Sequence, residues 1–343
     1  MTSRRKFLTR TASLGGALAY PGMLFAQMQG ALQVEKLNFL EISVANPARS
    51  LAFYQELFGF PVQSVSGDST VLKIGSENQF MTIRPILDNE TPRITTLGYS
   101  VPDFSPDRIL DTLEANGFRK TVAPDISWPG IEFPMTTWTR SNGEATEVYF
   151  SDARGLIVRL TDTSWCGGGG PLGNVCNAPE AAPDGMIHLD EINHFTCFVN
   201  DGAGANVFYQ ELFGLEIQAF QGPNSPVTGI GDGKQFVMYA GPLREGGNTP
   251  ANIHHASFNM TGFMVDDVLE TLTDYGLSDR AERQTGPMMH YISLRMPPRG
   301  GVEGGTPEVY FTDPDGILMQ IQDITYCGGG GYLGEVCLTN QNL

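Results

Sequence analysis

The sequence predicts an α+β fold in which four βαβββ modules form two homologous domains. One set of motifs occurs twice, and within each copy strand-like and helix-like patterns follow in the same order. FYQELF occurs at 53–58 and again at 208–213, a shift of 155 residues, and EVYF at 147–150 recurs at 308–311, a shift of 161. A repeat with so long a period indicates a duplicated domain.

Each half begins with an alternating segment, continues with a helix and ends with further strands. LNFLEISVAN (37–46) alternates apolar and polar residues, and RSLAFYQELFG (49–59) has helical spacing and a closing glycine. STVLKIG and QFMTIRPI alternate again. The order then recurs in ITTLGYSVPD (94–103), the helical PDRILDTLEANG (106–117) and strands ending in EVYF and GLIVRL. Each half is therefore predicted to be two modules, with helices on one face of a curved sheet and a cleft on the other.

The predicted domain boundaries follow the repeat. The first domain is expected at 36–176 and the second at 188–337. Residues 177–187, which begin NAPEAAPDG, are rich in proline and alanine and predict a linker.

The first 26 residues predict a cleaved export signal. A basic start containing Arg4, Arg5, Lys6 and Arg10 precedes a mildly apolar stretch that ends at the small residue Ala26. The SRRKFL segment resembles a twin-arginine signal, so the mature chain is expected to start near Gln27 and to be periplasmic or secreted. No later segment has the length of a membrane span, so no membrane anchor is expected after cleavage.

The charge of the mature chain narrows the class of partner. Removing the signal leaves 17 basic and 38 acidic residues, a formal charge of −21. Such an acidic protein is a poor match for nucleic acid or anionic lipid. A small-molecule substrate is the expected partner, and a homodimer is compatible with the sequence.

Four of the five cysteines lie in two copies of one motif. Cys166 and Cys176 enclose GGGGPLGNV, and Cys327 and Cys337 enclose GGGGYLGEV, with nine residues between each pair. We predict two local disulfides, each contributing ~3 kcal/mol in the chain-entropy model. Cysteine metal sites are the alternative, although no Cys-x-x-Cys spacing is present. Cys197 is predicted to be a buried free thiol.

The phrases FYQELFG, VPD and YFTDPDG resemble recurrent features of the vicinal oxygen chelate superfamily. This superfamily includes glyoxalases, bleomycin-resistance proteins and extradiol ring-cleaving dioxygenases, and the resemblance covers nearly all of the mature chain. It implies metal ligands on the first and last strands of the modules. The implied first-strand position lies five residues before Val199 and fourteen before Phe208, and His194 occupies it.

The other two implied ligands come from the fourth module. Matching DTL at 111–113 with ETL at 270–272 places His255 at the next first-strand position, and Gln320 stands at the last-strand position. The corresponding first-half residues offer no such set of donors; they are Phe39, Thr96 and Arg159. All five histidines lie in the second half, so we predict a single divalent metal site there.

The sequence leaves two ligand assignments open. Strand alternation points His254 away from the cleft if His255 points in, but a slip of one residue would exchange them. Gln320 stands where the extradiol signature has Glu, and an amide binds a hard cation less firmly than a carboxylate. Glu308 is the reserve oxygen donor, with a structural carboxylate as the competing interpretation.

Two imidazoles and one oxygen donor form the arrangement that non-haem Fe(II) oxygenases use. Fe(II) is the favoured cofactor, with Mn, Zn, Ni and Cu as alternatives. The resemblance implies that Tyr310 binds a substrate oxygen, and His290 could move a proton if its ring reaches the cleft. The signature's upstream His is missing, since 301–303 read Gly-Val-Glu.

The expected function is an exported metal-dependent oxygenase, of the extradiol ring-cleaving type, acting on a small oxygen-bearing compound. A glyoxalase-like lyase or isomerase, or a non-catalytic binder of a small ligand or metal, are the alternatives.

Overall fold

The structure is a computed structural model that describes residues 30–122, 134–142, 144–231, 234–241, 250–282 and 284–338. The predicted export signal lies outside these residues. None of the helices in the described part of the chain is long and apolar enough to cross a membrane.

The first half contains two modules in which one strand, one helix and further strands follow in order. The first consists of β1 (Lys36–Val44), α1 (Pro47–Phe58), β2 (Val62–Ser66), β3 (Ser69–Ile74) and β4 (Gln79–Pro85). The second consists of β5 (Arg93–Val101), α2 (Pro106–Ala115), the two-residue β6 (Arg119–Lys120), β7 (Thr136–Asn142), β8 (Ala145–Ser151) and β9 (Ile157–Asp162).

The second half repeats this order. Its first module consists of β10 (Glu191–Phe198), α3 (Gly202–Phe213), β11 (Ile217–Phe220), β12 (Pro226–Ile230) and β13 (Gln235–Ala240). The other consists of β14 (Asn252–Met260), α4 (Val265–Tyr275), β15 (Ser278–Asp279), β16 (Met289–Arg295), a 3₁₀ turn (Pro297–Arg299), β17 (Thr306–Thr312) and β18 (Leu318–Asp323). The predicted α+β fold of βαβββ modules is confirmed, with one additional short strand in the second and fourth.

The sheet brings the first and last strands of each module together at its centre. In every module the first strand pairs in parallel with the last. The two first strands of each half pair antiparallel, β1 with β5 and β10 with β14. The centre of the second half is therefore β13-β10-β14-β18. Side chains on the same face of these four strands must converge.

Helices α1 and α3 are two copies of one local design. Asn46 caps α1 by accepting a hydrogen bond from the Arg49 amide at 3.1 Å, and Asp201 caps α3 in the same way through Gly204 at 2.8 Å. Each helix ends at a glycine of positive φ, Gly59 at 67° and Gly214 at 69°, a conformation that costs other residues more.

The helices pack across the two halves. Phe58 of α1 lies 5.3 Å from Phe311 of β17 between ring centroids, and reciprocally Phe213 of α3 lies 5.1 Å from Tyr99 of β5. Both contacts belong to one hydrophobic core shared by the halves. The sheet faces that carry no helix are consequently left to form clefts.

The turn in YFTDPDG takes part in this packing. Tyr54 of α1 donates a hydrogen bond to the Asp313 carboxylate at 3.3 Å, and Asp315 pairs with Arg49. Burial raises the pKa of Asp313 to about 6. Only the strands that flank this turn face the cleft, whereas the turn itself docks on the first half.

Both predicted disulfides are present. Cys166–Cys176 and Cys327–Cys337 each span 6.3 Å between Cα atoms, and Cys197 is free and buried. The prediction for all five cysteines agrees with the structure, and two disulfides indicate an oxidising compartment.

Candidate metal centre

A cavity of about 190 Å³ opens on the face of the second-half sheet that carries no helix. His194 and Thr196 of β10 line it, while their neighbours Phe195 and Cys197 point into the shared core on the helix side. His255, Tyr310 and Gln320 line it as well; they come from β14, β17 and β18. The alternation of these strands thus divides a core face from a cleft face.

Strand register brings the three predicted ligands together. His194 pairs with Ser257 of β14 on one side, and Gln320 pairs with the same Ser257 on the other. His255 lies two residues before Ser257, so it shares that face. The His194 and His255 rings are 5.4 Å apart between centroids and nearly perpendicular, at 80°.

Two of the three candidate ligands, His255 and Gln320, have buried polar atoms without a hydrogen-bond partner in the described part of the chain. Among the described residues, no hydrogen-bond partner is found for His255 Nε2 or for either atom of the Gln320 amide. The Gln320 amide nonetheless lies near both imidazoles, where it raises the pKa of His194 and of His255 against the larger lowering by burial. Buried polar atoms without partners are unusual, and a metal ion would satisfy them. The three side chains therefore fit a divalent cation.

The electrostatics of the site favour neutral imidazoles, the form that binds a metal. Burial lowers the pKa of His194 to about 3 and lowers the pKa of His255 well below its usual value. In the described part of the chain no cluster of three His, Cys, Asp or Glu side chains has metal-binding geometry. A metal at this position would therefore depend on the Gln320 amide oxygen.

The structure corrects the expectation for His254, which also lines the cavity. Thr196 pairs with His255 and Cys197 with Ile253, so His254 is the additional residue of a β-bulge. A bulge interrupts alternation and lets two consecutive side chains turn to one side. His254 Nδ1 lies 2.8 Å from His255 Nδ1, and its ring stacks on Phe198 with centroids 4.1 Å apart.

Glu308 is buried beside the site, and both of its oxygens are already engaged. Arg295 Nε donates to Oε1 at 2.9 Å and the Tyr326 hydroxyl donates to the same atom at 3.2 Å. The Tyr310 hydroxyl donates to Oε2 at 3.3 Å. Arg295 compensates the charge of Glu308, which makes this carboxylate a poorer candidate ligand than the Gln320 amide.

Of the two predicted catalytic residues, Tyr310 lies in the cavity and His290 does not. Tyr310 lines the cavity, and its ring lies 5.3 Å from that of His255. Burial, with the neighbouring Glu308 charge, raises the pKa of Tyr310 well above its usual value, so the phenol stays protonated. His290 faces the opposite side of β16, where its Nε2 lies 2.9 Å from Thr273 Oγ1 of α4. The structure does not bring His290 to the cleft.

Sequence reasoning missed three residues that support the site. Phe236 stacks on His194 with centroids 4.3 Å apart, Tyr326 lies 5.7 Å from the same ring, and Asn193 Oδ1 is 2.7 Å from His194 Nδ1. One signal was available for Tyr326, because it directly precedes Cys327 as Trp165 precedes Cys166. The signal for Phe236 and Asn193 is that each recurs in the first half, as Phe80 and Asn38.

The equivalent position in the first half is filled. The Arg159 guanidinium lies 3.9 Å from the centre of the Phe39 ring and 3.8 Å from that of Trp165, and it donates to Glu147 at 2.6 Å. The register is the same as in the second half, since Thr96 pairs with Glu41 as His255 pairs with Thr196. Two of the three first-half counterparts of the candidate ligands, Phe39 and Arg159, are therefore held in a cation–π cluster with Trp165.

Among known proteins, only solved structures are similar to this chain. The sequence matches no protein-family model and no curated protein. The chain is similar to native homoprotocatechuate 2,3-dioxygenase from Arthrobacter globiformis, with a TM-score of 0.56, 17% identity, and coverage of 86% of this chain and 81% of that chain. A mutant of the Brevibacterium fuscum enzyme gives a TM-score of 0.57, 16% identity, and coverage of 86% and 73%.

The third comparison is with a Mn(II)-bound glyoxalase from Novosphingobium aromaticivorans. The TM-score is 0.56, the identity 15%, and the coverage 84% of this chain and 82% of that chain. At sequence identities this low, the similarity establishes the fold but does not identify the reaction. The chain has the fold that these extradiol dioxygenases and this glyoxalase share.

Proposed function

We propose that the second half holds one divalent metal ion through His194, His255 and Gln320 and acts as an oxygenase on a small oxygen-bearing compound. The observation that carries this proposal is the convergence of two neutral imidazoles and an unsatisfied amide in one cavity. Two imidazoles and one oxygen donor leave coordination positions open, as in non-haem Fe(II) oxygenases, which favours Fe(II).

The chemistry needs a substrate that offers oxygen atoms to the ion. A bound divalent ion would polarise substrate oxygens as a Lewis acid, and Fe(II) would also bring O₂. The cavity of about 190 Å³ has room for a single-ring compound. Phe198, Tyr310 and Tyr326 give it aromatic walls. These features favour a small aromatic substrate.

Tyr310 is the residue placed to handle a substrate hydroxyl. Because its own proton is donated to Glu308, its oxygen lone pairs can accept a hydrogen bond from the cleft. The ion pair with Arg295 fixes Glu308, and so holds the phenol in place. Tyr310 thus orients a substrate oxygen beside His255.

A glyoxalase-like lyase or isomerase is the second candidate, and one structural observation favours it. A Cβ at Gly301 would lie 1.6 Å from the Arg295 carbonyl oxygen, so a histidine cannot stand there without a change in the backbone. The upstream histidine of the extradiol signature therefore has no counterpart at Gly301. A lyase needs no O₂, and a non-catalytic binder needs neither O₂ nor a catalytic histidine.

Metal analysis followed by O₂ uptake tests the proposal. We expect about one divalent ion per chain in protein recovered after export, and O₂ consumption when Fe(II)-loaded protein meets a panel of catechols. Metal binding without O₂ consumption, together with turnover of α-ketoaldehyde adducts, would favour the lyase. Metal binding without either reaction would favour a non-catalytic binding protein.

Gln320→Glu is expected to tighten divalent metal binding by roughly tenfold or more, because an added ligand charge neutralises the ion. The measurement is the metal dissociation constant by competition with a chelator. Gln221→Glu is the matched control, since Gln221 lines the same cavity without belonging to the proposed ligand set. Equal tightening in both variants, or none in Gln320→Glu, would take Gln320 out of the ligand set and make Glu308 the next residue to test.

A further inference from the structure

Asn193 links the candidate ligand His194 to Tyr326, the residue directly before the disulfide-closed loop at 327–337. Its Nδ2 donates to the carbonyl oxygen of Tyr326 at 2.9 Å and lies 3.4 Å from that of Lys234. Both partners can only accept, so the NH₂ group must face them. The amide oxygen therefore faces His194 Nδ1, at 2.7 Å.

This orientation fixes which nitrogen of His194 carries the proton. An amide oxygen accepts hydrogen bonds only, so Nδ1 must be the N–H and Nε2 must present its lone pair. A histidine ligand commonly has its other nitrogen held in this way, which sets the tautomer and the ring orientation. Asn193 supplies that contact for His194.

The position of the Tyr326 carbonyl depends on the loop that follows it. Tyr326 directly precedes Cys327, whose disulfide to Cys337 closes the Gly-rich segment. Gln218 Nε2 donates to the Cys327 carbonyl at 2.8 Å, and an Arg295 guanidinium nitrogen donates to the Gly329 carbonyl at 2.8 Å. Opening the disulfide would loosen the segment that holds both the Asn193 amide and the Tyr326 ring against His194.

The first half has the same loop without a ligand to position. Cys166–Cys176 has the same Cα separation of 6.3 Å, but Trp165 in the place of Tyr326 packs on Phe39 at 6.0 Å. Asn38 stands where Asn193 does and donates instead to Thr161 Oγ1 at 2.9 Å. A comparison of the two loops can therefore separate the effect of a disulfide on stability from its effect on metal binding.

We propose that Asn193 and the Cys327–Cys337 disulfide form a positioning device that presets the metal-binding tautomer of His194. The affinity for the ion then depends on the second disulfide and not on the first. This inference rests on the proposed metal site, and it adds a dependence of that site on the oxidised state of one loop.

The experiment compares Cys327→Ser/Cys337→Ser with Cys166→Ser/Cys176→Ser, and Asn193→Leu with Asn38→Leu, each in the full mature chain. The two disulfide variants should lose similar thermal stability, since each opens a loop of the same length. The Zn²⁺ dissociation constant should rise about 10- to 100-fold in the two second-half variants. It should stay within about twofold of the wild-type value in their first-half counterparts, the size of change expected when no ligand contact is lost.

A second measurement does not involve metal. Long-range ¹H–¹⁵N NMR of the metal-free protein reports the imidazole tautomers, and His194 should be the Nδ1–H form in the wild type and both first-half variants. Mixed tautomers are expected in both second-half variants. Equal changes in both halves, or an unchanged His194 tautomer, would overturn the positioning device. A wild-type protein that binds no Zn²⁺ but keeps the expected tautomer pattern would instead overturn the proposed metal site.

Discussion

His194→Ala and His255→Ala should each yield a folded protein that has lost its metal ion. Each change removes one of three proposed donors, and the remaining two would hold the ion at least about a hundredfold more weakly. The fold should persist because both rings border a cavity, while the shared core lies on the other face of the sheet. Metal content and circular dichroism of the purified variants measure the two effects.

His188→Ala and His290→Ala are the matched controls for this result. His188 is exposed, and His290 contacts Thr273 on the helix side of the sheet, so both variants should keep a full complement of metal. Unchanged metal content in a His194→Ala/His255→Ala double variant would refute the proposed site, because the ion would then be held by other residues.

Arg295→Met should destabilise the protein by about 3–5 kcal/mol, because it leaves the buried Glu308 carboxylate without its compensating charge. Arg295 Nε lies 2.9 Å from Glu308 Oε1, and both side chains are almost fully buried. Urea denaturation gives the free energy of unfolding. Adding Glu308→Gln to Arg295→Met should restore much of the loss, since the unpaired charge is then removed.

The first half supplies a control for this prediction as well. Arg159→Met leaves Glu147 unpaired in the same way and should cost a similar free energy of unfolding. Metal affinity should change with Arg295→Met, which also releases the loop carbonyl at Gly329, and should not change with Arg159→Met. Two variants of equal stability and equal metal affinity would show that the Arg295 network has no part in the site.

The bulge at His254 shows why part of the site could not be predicted from the sequence. Alternation assigns opposite faces to consecutive residues, and on that basis His254 was expected to point away from His255. The additional residue opposite Thr196 and Cys197 becomes visible only when the register of two strands far apart in the chain is known. A bulge is a property of a strand pair, which no single segment reveals.

His290 illustrates a second limit. It lies in an alternating strand of the correct module, so its residue type and location suggested a catalytic group. Its face was decided by the pairing of Tyr291 with Tyr310, which puts Tyr291 on the cleft side and His290 against α4. A shift of one residue in register would have reversed this outcome.

The sequence by itself determined the duplicated modules, the two disulfides and the positions at which the halves differ. These follow from local information: repeated phrases, apolar periodicity and the substitution of Phe39, Thr96 and Arg159 for His194, His255 and Gln320. Only the tertiary structure decided that His254 joins the cavity, that Arg295 pairs with Glu308, and that Asn193 contacts His194 Nδ1. The reason is physical: strand register and side-chain hydrogen bonds between distant segments arise from packing, whereas periodicity is written along the chain.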